Sequence, residues 1–113
     1  MAKRKTLEAY VADLENTDPQ IKIKALKKLG EIGAAASHAV PRIILLLNDG
    51  SWKVRAWAAR SLGYIGPLAE AAVPYLIRAL DDKMATVRSD AALALGFILV
   101  SKQAQQYQSY RGL

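Results

Sequence analysis

Apolar positions along this chain follow two nested periods, the short one of a helix and a long one of 33 residues. Val54, Ala58, Ser61, Leu62 and Ile65 share one face of a helix of about 3.6 residues per turn, closed by Gly66 and Pro67. After Ala69 to Ala72, Val73, Leu76, Ile77 and Leu80 form a second stripe at i, i+3, i+4, i+7. Pro74 sits in its first turn, where the missing N–H leaves no bond unmade. Each unit is thus a helix pair. Shifting the chain by 33 residues lays Ala25, Leu29, Gly30, Ile32, Gly33, Ala39, Val40, Pro41, Ile44 and Asp49 onto Ala58, Leu62, Gly63, Ile65, Gly66, Ala72, Val73, Pro74, Ile77 and Asp82. A third copy keeps register through Val87, Ala91, Leu95, Gly96 and Ile98, then puts Leu99 and Val100 where the earlier copies break.

Self-similarity at a fixed period is the mark of stacked repeats. The pattern predicts an all-α, right-handed α-solenoid of antiparallel helix pairs, about 2.5 to 3 repeats of 33 residues in one domain spanning 1–113. Its parts are a basic tail over 1–5, a capping helix over 6–15, repeat one over 18–48, repeat two over 51–81, and an incomplete repeat with cap over 84–107. The capping helix is a lone second helix, since Leu7, Tyr10, Val11 and Leu14 lie 33 residues before Val40, Ile43, Ile44 and Leu47. The polar end "SKQAQQYQSYRGL" either extends the last helix or folds back over it, with Tyr107 and Tyr110 available to cover it. Asp49-Gly50-Ser51 and Asp81-Asp82 occupy the turns between pairs, where their side chains are expected to accept from first-turn N–H groups.

Composition agrees with helices: 52% apolar, 7% aromatic, few Gly and Pro. No cysteine is present, which removes disulfides and thiolate metal sites and fits a reducing interior. No apolar run follows the basic start "MAKRKTLEAY", and no uninterrupted apolar stretch is longer than that from Ile43 to Leu47. That is far short of the ~20 residues of a membrane helix, so the expectation is a soluble cytoplasmic protein without a signal or a membrane partner. Net charge is +6. Lys3, Arg4 and Lys5 supply three of these charges, leaving about +3 on the folded part, a weak footprint for nucleic acid.

The spaced pattern D-x-x-x-x-V-R-x-x-A-x-x-x-L-G-x-I-G, followed by A-V-P-x-L-I-x-x-L-x-D, resembles the HEAT-repeat superfamily. It is most similar to the short repeats also found in E/F-type phycobilin lyases. The resemblance implies a ladder between repeats, in which an Asp of the turn meets an Arg early in the first helix. Asp49 with Arg55 and Asp82 with Arg88 match those positions, while Asn16 and Lys22 hold them in the first unit and weaken that end. It also implies one alternative role, as part of a phycobilin lyase or of phycobilisome assembly and turnover.

Candidate chemistry is sparse. His38 is the single histidine, sits in a loop before a helix, and has Ala71 as its counterpart. No His, Cys, Asp or Glu cluster has metal-ligand spacing, and Ser37 and Ser61 have no nearby base. No enzyme, metal or cofactor is predicted. The glycines do not form a phosphate loop: Gly30 and Gly63 fall inside helices, and Gly33 and Gly66 follow helix ends.

Surfaces remain. Removing the buried stripe from the second helices leaves Arg42, Leu45, Leu46, Tyr75 and Arg78 as a partner-binding patch, an apolar centre with an Arg and Tyr rim. The alternative is that Leu45 and Leu46 pack on neighbouring helices. A secondary surface, Lys53, Trp57, Arg60 and Tyr64, runs along a first helix, with Trp57 and Tyr64 bordering the core. Lys24 and Lys27 could join it to hold a phosphate backbone, the nucleic-acid alternative. Leu93 and Phe97 stand uncovered at the end of the array, from which self-association is expected. The sequence therefore predicts a non-catalytic scaffold that binds a partner protein.

Overall fold

The computed structural model describes residues 4–111, and no strand occurs among them. Six α-helices follow in order: α1 (Leu7–Asp13), α2 (Pro19–Ile32), α3 (Val40–Leu46), α4 (Trp52–Ile65), α5 (Val73–Ala79) and α6 (Ala85–Arg111). First helices α2, α4 and α6 pack side by side, and α1, α3 and α5 cover them as a second layer. The molecule measures 49 × 41 × 18 Å. Its 18 Å depth is that of two helices. One stretch, Pro19–Leu46, reaches a mean hydropathy of 1.2, but it is broken at Gly33, and the 14 residues of α2 span only about 21 Å.

Local chemistry sets each boundary. Thr6 Oγ1 accepts from the Ala9 N–H at 3.1 Å to cap α1, and Asp18 Oδ1 accepts from Gln20 at 2.9 Å to cap α2. Gly33 and Gly66 end α2 and α4 at φ 71° and 79°, their N–H groups donating to Leu29 and Leu62. Only glycine takes that conformation without strain. Leu99 stands at the same register, so α6 runs on unbroken to Arg111, 27 residues or about 40 Å. The side chains of Tyr107 and Tyr110 lie outside the described residues, as does Lys3 of the basic tail.

Two expectations change here. The segments before the second helices are 3₁₀ helices, Gly33–Ala39 and Gly66–Ala72, and His38 lies in the first of them. Their alanines explain the tight winding: Ala36, Ala39, Ala69 and Ala72 are fully buried at the repeat period. The turn side chains also act differently from helix caps. Asn16, Asp49 and Asp82 each accept from the N–H two residues on, in Asp18, Ser51 and Met84. They close the turn itself.

The core is one continuous cluster, with Leu26, Leu29, Ile43, Leu62, Leu76 and Ile98 at 0% exposure. Between the first helices the seam is made of small residues. A Cβ on Gly63 would lie 3.0 Å from Ala94 Cα and 3.2 Å from Ala94 Cβ; one on Gly30 would lie 3.0 Å from the Tyr64 ring edge. Buried Ser61 donates its hydroxyl to the Leu26 carbonyl across the same seam, so its polar group is satisfied.

Charged rungs cross the seam at the turn end. Lys22 Nζ meets Asp49 Oδ1 at 2.6 Å. Arg55 makes a two-pronged pair with Asp82, Nε to Oδ2 at 2.8 Å and Nη2 to Oδ1 at 3.1 Å, while its Nη1 holds the Asp49 carbonyl at 2.8 Å. Lys22 therefore makes the first rung as Arg55 makes the second, and the departure at that end does not break the ladder. Burial works to raise the Asp82 carboxyl, but the Arg55 hydrogen bond, the Met84 N–H and the Arg55 charge outweigh it and hold it below its ordinary 3.8. Asp49 is lowered likewise, with Lys22 and Ser51 overcoming desolvation.

Two outcomes are expected. Alanine at the three equivalent glycines separates propensity from crowding. Gly96→Ala, with nothing within 4 Å, gains about 0.5–1 kcal/mol. Gly63→Ala loses about 1–2 kcal/mol, because overpacking against helix backbone exceeds the propensity gain. Gly30→Ala falls between, since the Tyr64 ring can move; urea midpoints that shift alike at all three positions would refute the seam. The carboxylates of Asp49 and Asp82 titrate lower in the folded than in the unfolded chain, so their stabilisation is present above pH 3.8 and is lost as pH falls through the lowered native values. Asp82→Asn should cost about 3 kcal/mol at neutral pH by stranding Arg55 and should flatten the fall in urea midpoint below that pH.

Candidate protein-binding surfaces

The second-helix layer carries the first surface. Arg42 and Tyr75 share one register position of α3 and α5, and Leu45 and Arg78 share the next, one turn along. Leu45 is 71% exposed and Tyr75 39%. Arg78 stacks over the Tyr75 ring, 5.4 Å from its centroid, which leaves the guanidinium edge open to solvent. Arg42 reaches Glu15 across the layer at 4.0 Å, a pair too exposed to hold it firmly. A cleft lined by Leu47, Asn48, Tyr75, Arg78, Ala79 and Asp82 adjoins this row. Leu46 does not belong to it. Its side chain is 8% exposed within the core, because Ile43, Leu46 and Leu47 form one i, i+3, i+4 face.

The first-helix layer carries the second. Trp57 is half-buried between two cations, Lys27 Nζ 4.8 Å and Arg60 Cζ 4.7 Å from its ring centroid. Arg60 is itself held by Asp90, Nε to Oδ2 at 2.8 Å. The four side chains bridge α2, α4 and α6, so Trp57 and Arg60 brace the stack. Lys53 lies over Trp52 at 5.8 Å and lines a shallow cleft together with Trp52, Ala56, Trp57, Arg60 and Thr86. Tyr64, 59% exposed, closes one side of a groove of about 570 Å³ with Trp57, Gly30, Gly33, Lys27 and Glu31. The stripe thus lines two clefts that meet at Trp57. Two of its members serve the fold, and Arg60 offers no free charge to a phosphate backbone.

The third surface is the end of the array. Leu93 and Phe97 are 61% and 53% exposed, and Leu99 and Val100 accompany them. Ile77 at 52% and Leu80 at 37% also stand open, although the periodicity placed them on a buried stripe. Their counterparts Ile44 and Leu47 are half-buried and buried. The difference lies in the neighbours of each helix: α3 has another pair beyond it, and α5 has only α6. The count of second helices held that signal, and the face of a single helix could not.

His38 Nε2 lies 3.1 Å from Glu8 Oε1 at an exposed site, and among the described residues no group of three His, Cys, Asp or Glu could hold a metal.

Truncating the two neighbouring leucines should tell surface from core. Leu46→Ala is expected to lower stability by about 2–3 kcal/mol and Leu45→Ala by less than about 0.5 kcal/mol. Chemical denaturation of both variants measures it, and equal losses would mean that Leu45 is packed.

Comparison with known proteins comes to the same architecture. The profile of the HEAT-repeat family matches residues 5–96. Among solved structures, the crystal structure of an engineered protein superposes with a TM-score of 0.71 at 26% identity, over 80% of this chain and 44% of that one. This chain therefore spans under half of that protein's length. No curated protein matches the sequence. The family match is to HEAT repeats as a class.

Proposed function

This chain belongs to the HEAT-repeat family, and on that footing we propose that it is a non-catalytic scaffold that binds a partner protein on its second-helix face. HEAT-repeat folds commonly serve as protein-interaction scaffolds and are typically not enzymes. The observation that carries this reading is the row of Arg42 and Leu45 on α3 beside Tyr75 and Arg78 on α5, with Leu45 71% exposed at its centre. An apolar side chain so exposed, rimmed by Arg and Tyr, has the composition of an interface centre. The helices are rigid before contact, so little ordering entropy opposes binding. Two arginines without buried acids select a partner with an acidic rim around an apolar contact.

The experiment is quantitative capture from a native lysate of the source organism, comparing the wild type with Arg42→Glu/Leu45→Glu/Arg78→Glu. All three positions are exposed, so the variant should keep its fold by circular dichroism. It should retain less than about a tenth of the wild-type partner signal, as expected when hot-spot residues are reversed. Undiminished capture by the folded triple variant would remove this face from consideration.

A further inference from the structure

Three sockets along the first-helix layer can be compared position by position. At Gly30 the space is filled by Tyr64 and Ser61, and at Gly63 by Ala94 and Phe97; at Gly96 nothing lies within 4 Å. The ladder shows the same progression. Lys22 takes Asp49 and Arg55 takes Asp82. Arg88 keeps only the inner half of the arrangement, Nη1 on the Asp82 carbonyl at 2.7 Å, just as Arg55 Nη1 holds the Asp49 carbonyl. The guanidinium edge that Arg55 gives to a carboxylate faces none in Arg88 among the described residues. Beside it, Ile77 and Leu80 are uncovered where Ile44 and Leu47 are not. Backbone shape, charge and apolar surface are therefore all left unmatched at one place, in the pattern that two internal interfaces satisfy.

We infer that this end face is a docking site for a helix pair of another protein. Its leading turn carries an Asp or Glu for Arg88, and its first helix lays a small residue over Gly96 with an aromatic three positions later. The small-aromatic spacing is that of Ser61 with Tyr64 and of Ala94 with Phe97, the residues that fill the two occupied sockets. The carboxylate requirement follows from the two existing rungs. A second copy of this chain does not fit. Head to tail it would bring Asn16 to Arg88, Lys28 to the small position and Glu31 to the aromatic one, and Lys24 and Lys28 are both exposed cations. Pairing α6 with α6 supplies no better, because the one acid beyond Arg88 on that helix is Asp90, already held by Arg60. This site is separate from the second-helix row and stands whether or not that row binds anything.

The test uses the full chain as acceptor and a full-length variant as probe. The probe carries Asn16→Asp, Lys24→Trp, Lys28→Ser and Glu31→Tyr, which copy onto α2 the side chains that α4 presents to α2. It also carries Arg88→Glu and Leu93→Glu to close its own socket. None of these positions is buried, and circular dichroism checks the fold; a lighter probe with Asn16→Asp and Lys28→Ser as its only docking changes repeats the measurement. Sedimentation velocity should give a one-to-one complex with the wild-type chain. Arg88→Glu in the acceptor should weaken it by at least about tenfold, and so should Gly96→Leu. No complex with either folded probe, or a complex indifferent to Arg88→Glu, would overturn the inference. So would a wild-type dimer that Leu93→Glu abolishes, which would give the face to a second copy.

Discussion

The close approach of α2, α4 and α6 is the constraint on which the rest of the molecule depends. A Cβ at Gly63 would sit 3.0 Å from the backbone of α6, so these helices cross nearer than ordinary side chains permit. The seam is consequently lined with Gly, Ala and Ser, and Ser61 is admitted because its hydroxyl has the Leu26 carbonyl to bind. Small residues bury little apolar area each. The larger apolar contribution comes from Leu26, Leu29, Ile43, Leu62 and Leu76, buried where the two layers meet.

A seam of small residues specifies distance better than register, since one alanine resembles the next. Register falls to the charged rungs. Arg55, its side chain 8% exposed, is held by the Asp82 carboxylate and by the Asp49 and Gly50 carbonyls. A shift of one helical turn would strand that guanidinium, and an unpaired buried charge costs more than the seam could return. The Lys27, Trp57, Arg60 and Asp90 chain ties the same helices farther along their length. Shape and charge thus divide the task, and each repeat is held by its neighbours alone.

Much of this was legible in the sequence, for reasons that also mark its limits. The 33-residue period identified the helix pairs, and Gly66 was readable as a helix end because Pro67 follows it, and Gly33 because it stands one period earlier. Leu46 was misread because subtracting a stripe of i, i+3, i+4 positions anchored on Val40 leaves it outside. Anchored on Ile43 the same rule places it inside, and its counterpart Ala79 is buried to the same 8%. The 3₁₀ segments have no apolar period of their own to read. Trp57 could not be assigned locally, since what fixes it includes Lys27 on the preceding repeat and, through Arg60, Asp90 on the following one. Exposure at Ile77 and Leu80 depends on an absent neighbour, which no window around α5 contains.

The two proposed surfaces meet on α5, and this relation bears on how each would work. Tyr75 and Arg78 share register positions with Arg42 and Leu45 on α3, whereas Ile77 and Leu80 are the exposed apolar residues of α5 whose counterparts Ile44 and Leu47 are more covered. A helix pair docked at Gly96 would set its first helix beside α6, and the helix before its leading turn would fall beside α5 and extend the row by one further register position. Its side chains there would then contribute to any partner bound across α3 and α5, without a change of shape in either. Binding at the end would thus alter recognition along the face by adding surface, and the rigidity of the stack is what would let the addition fall in register.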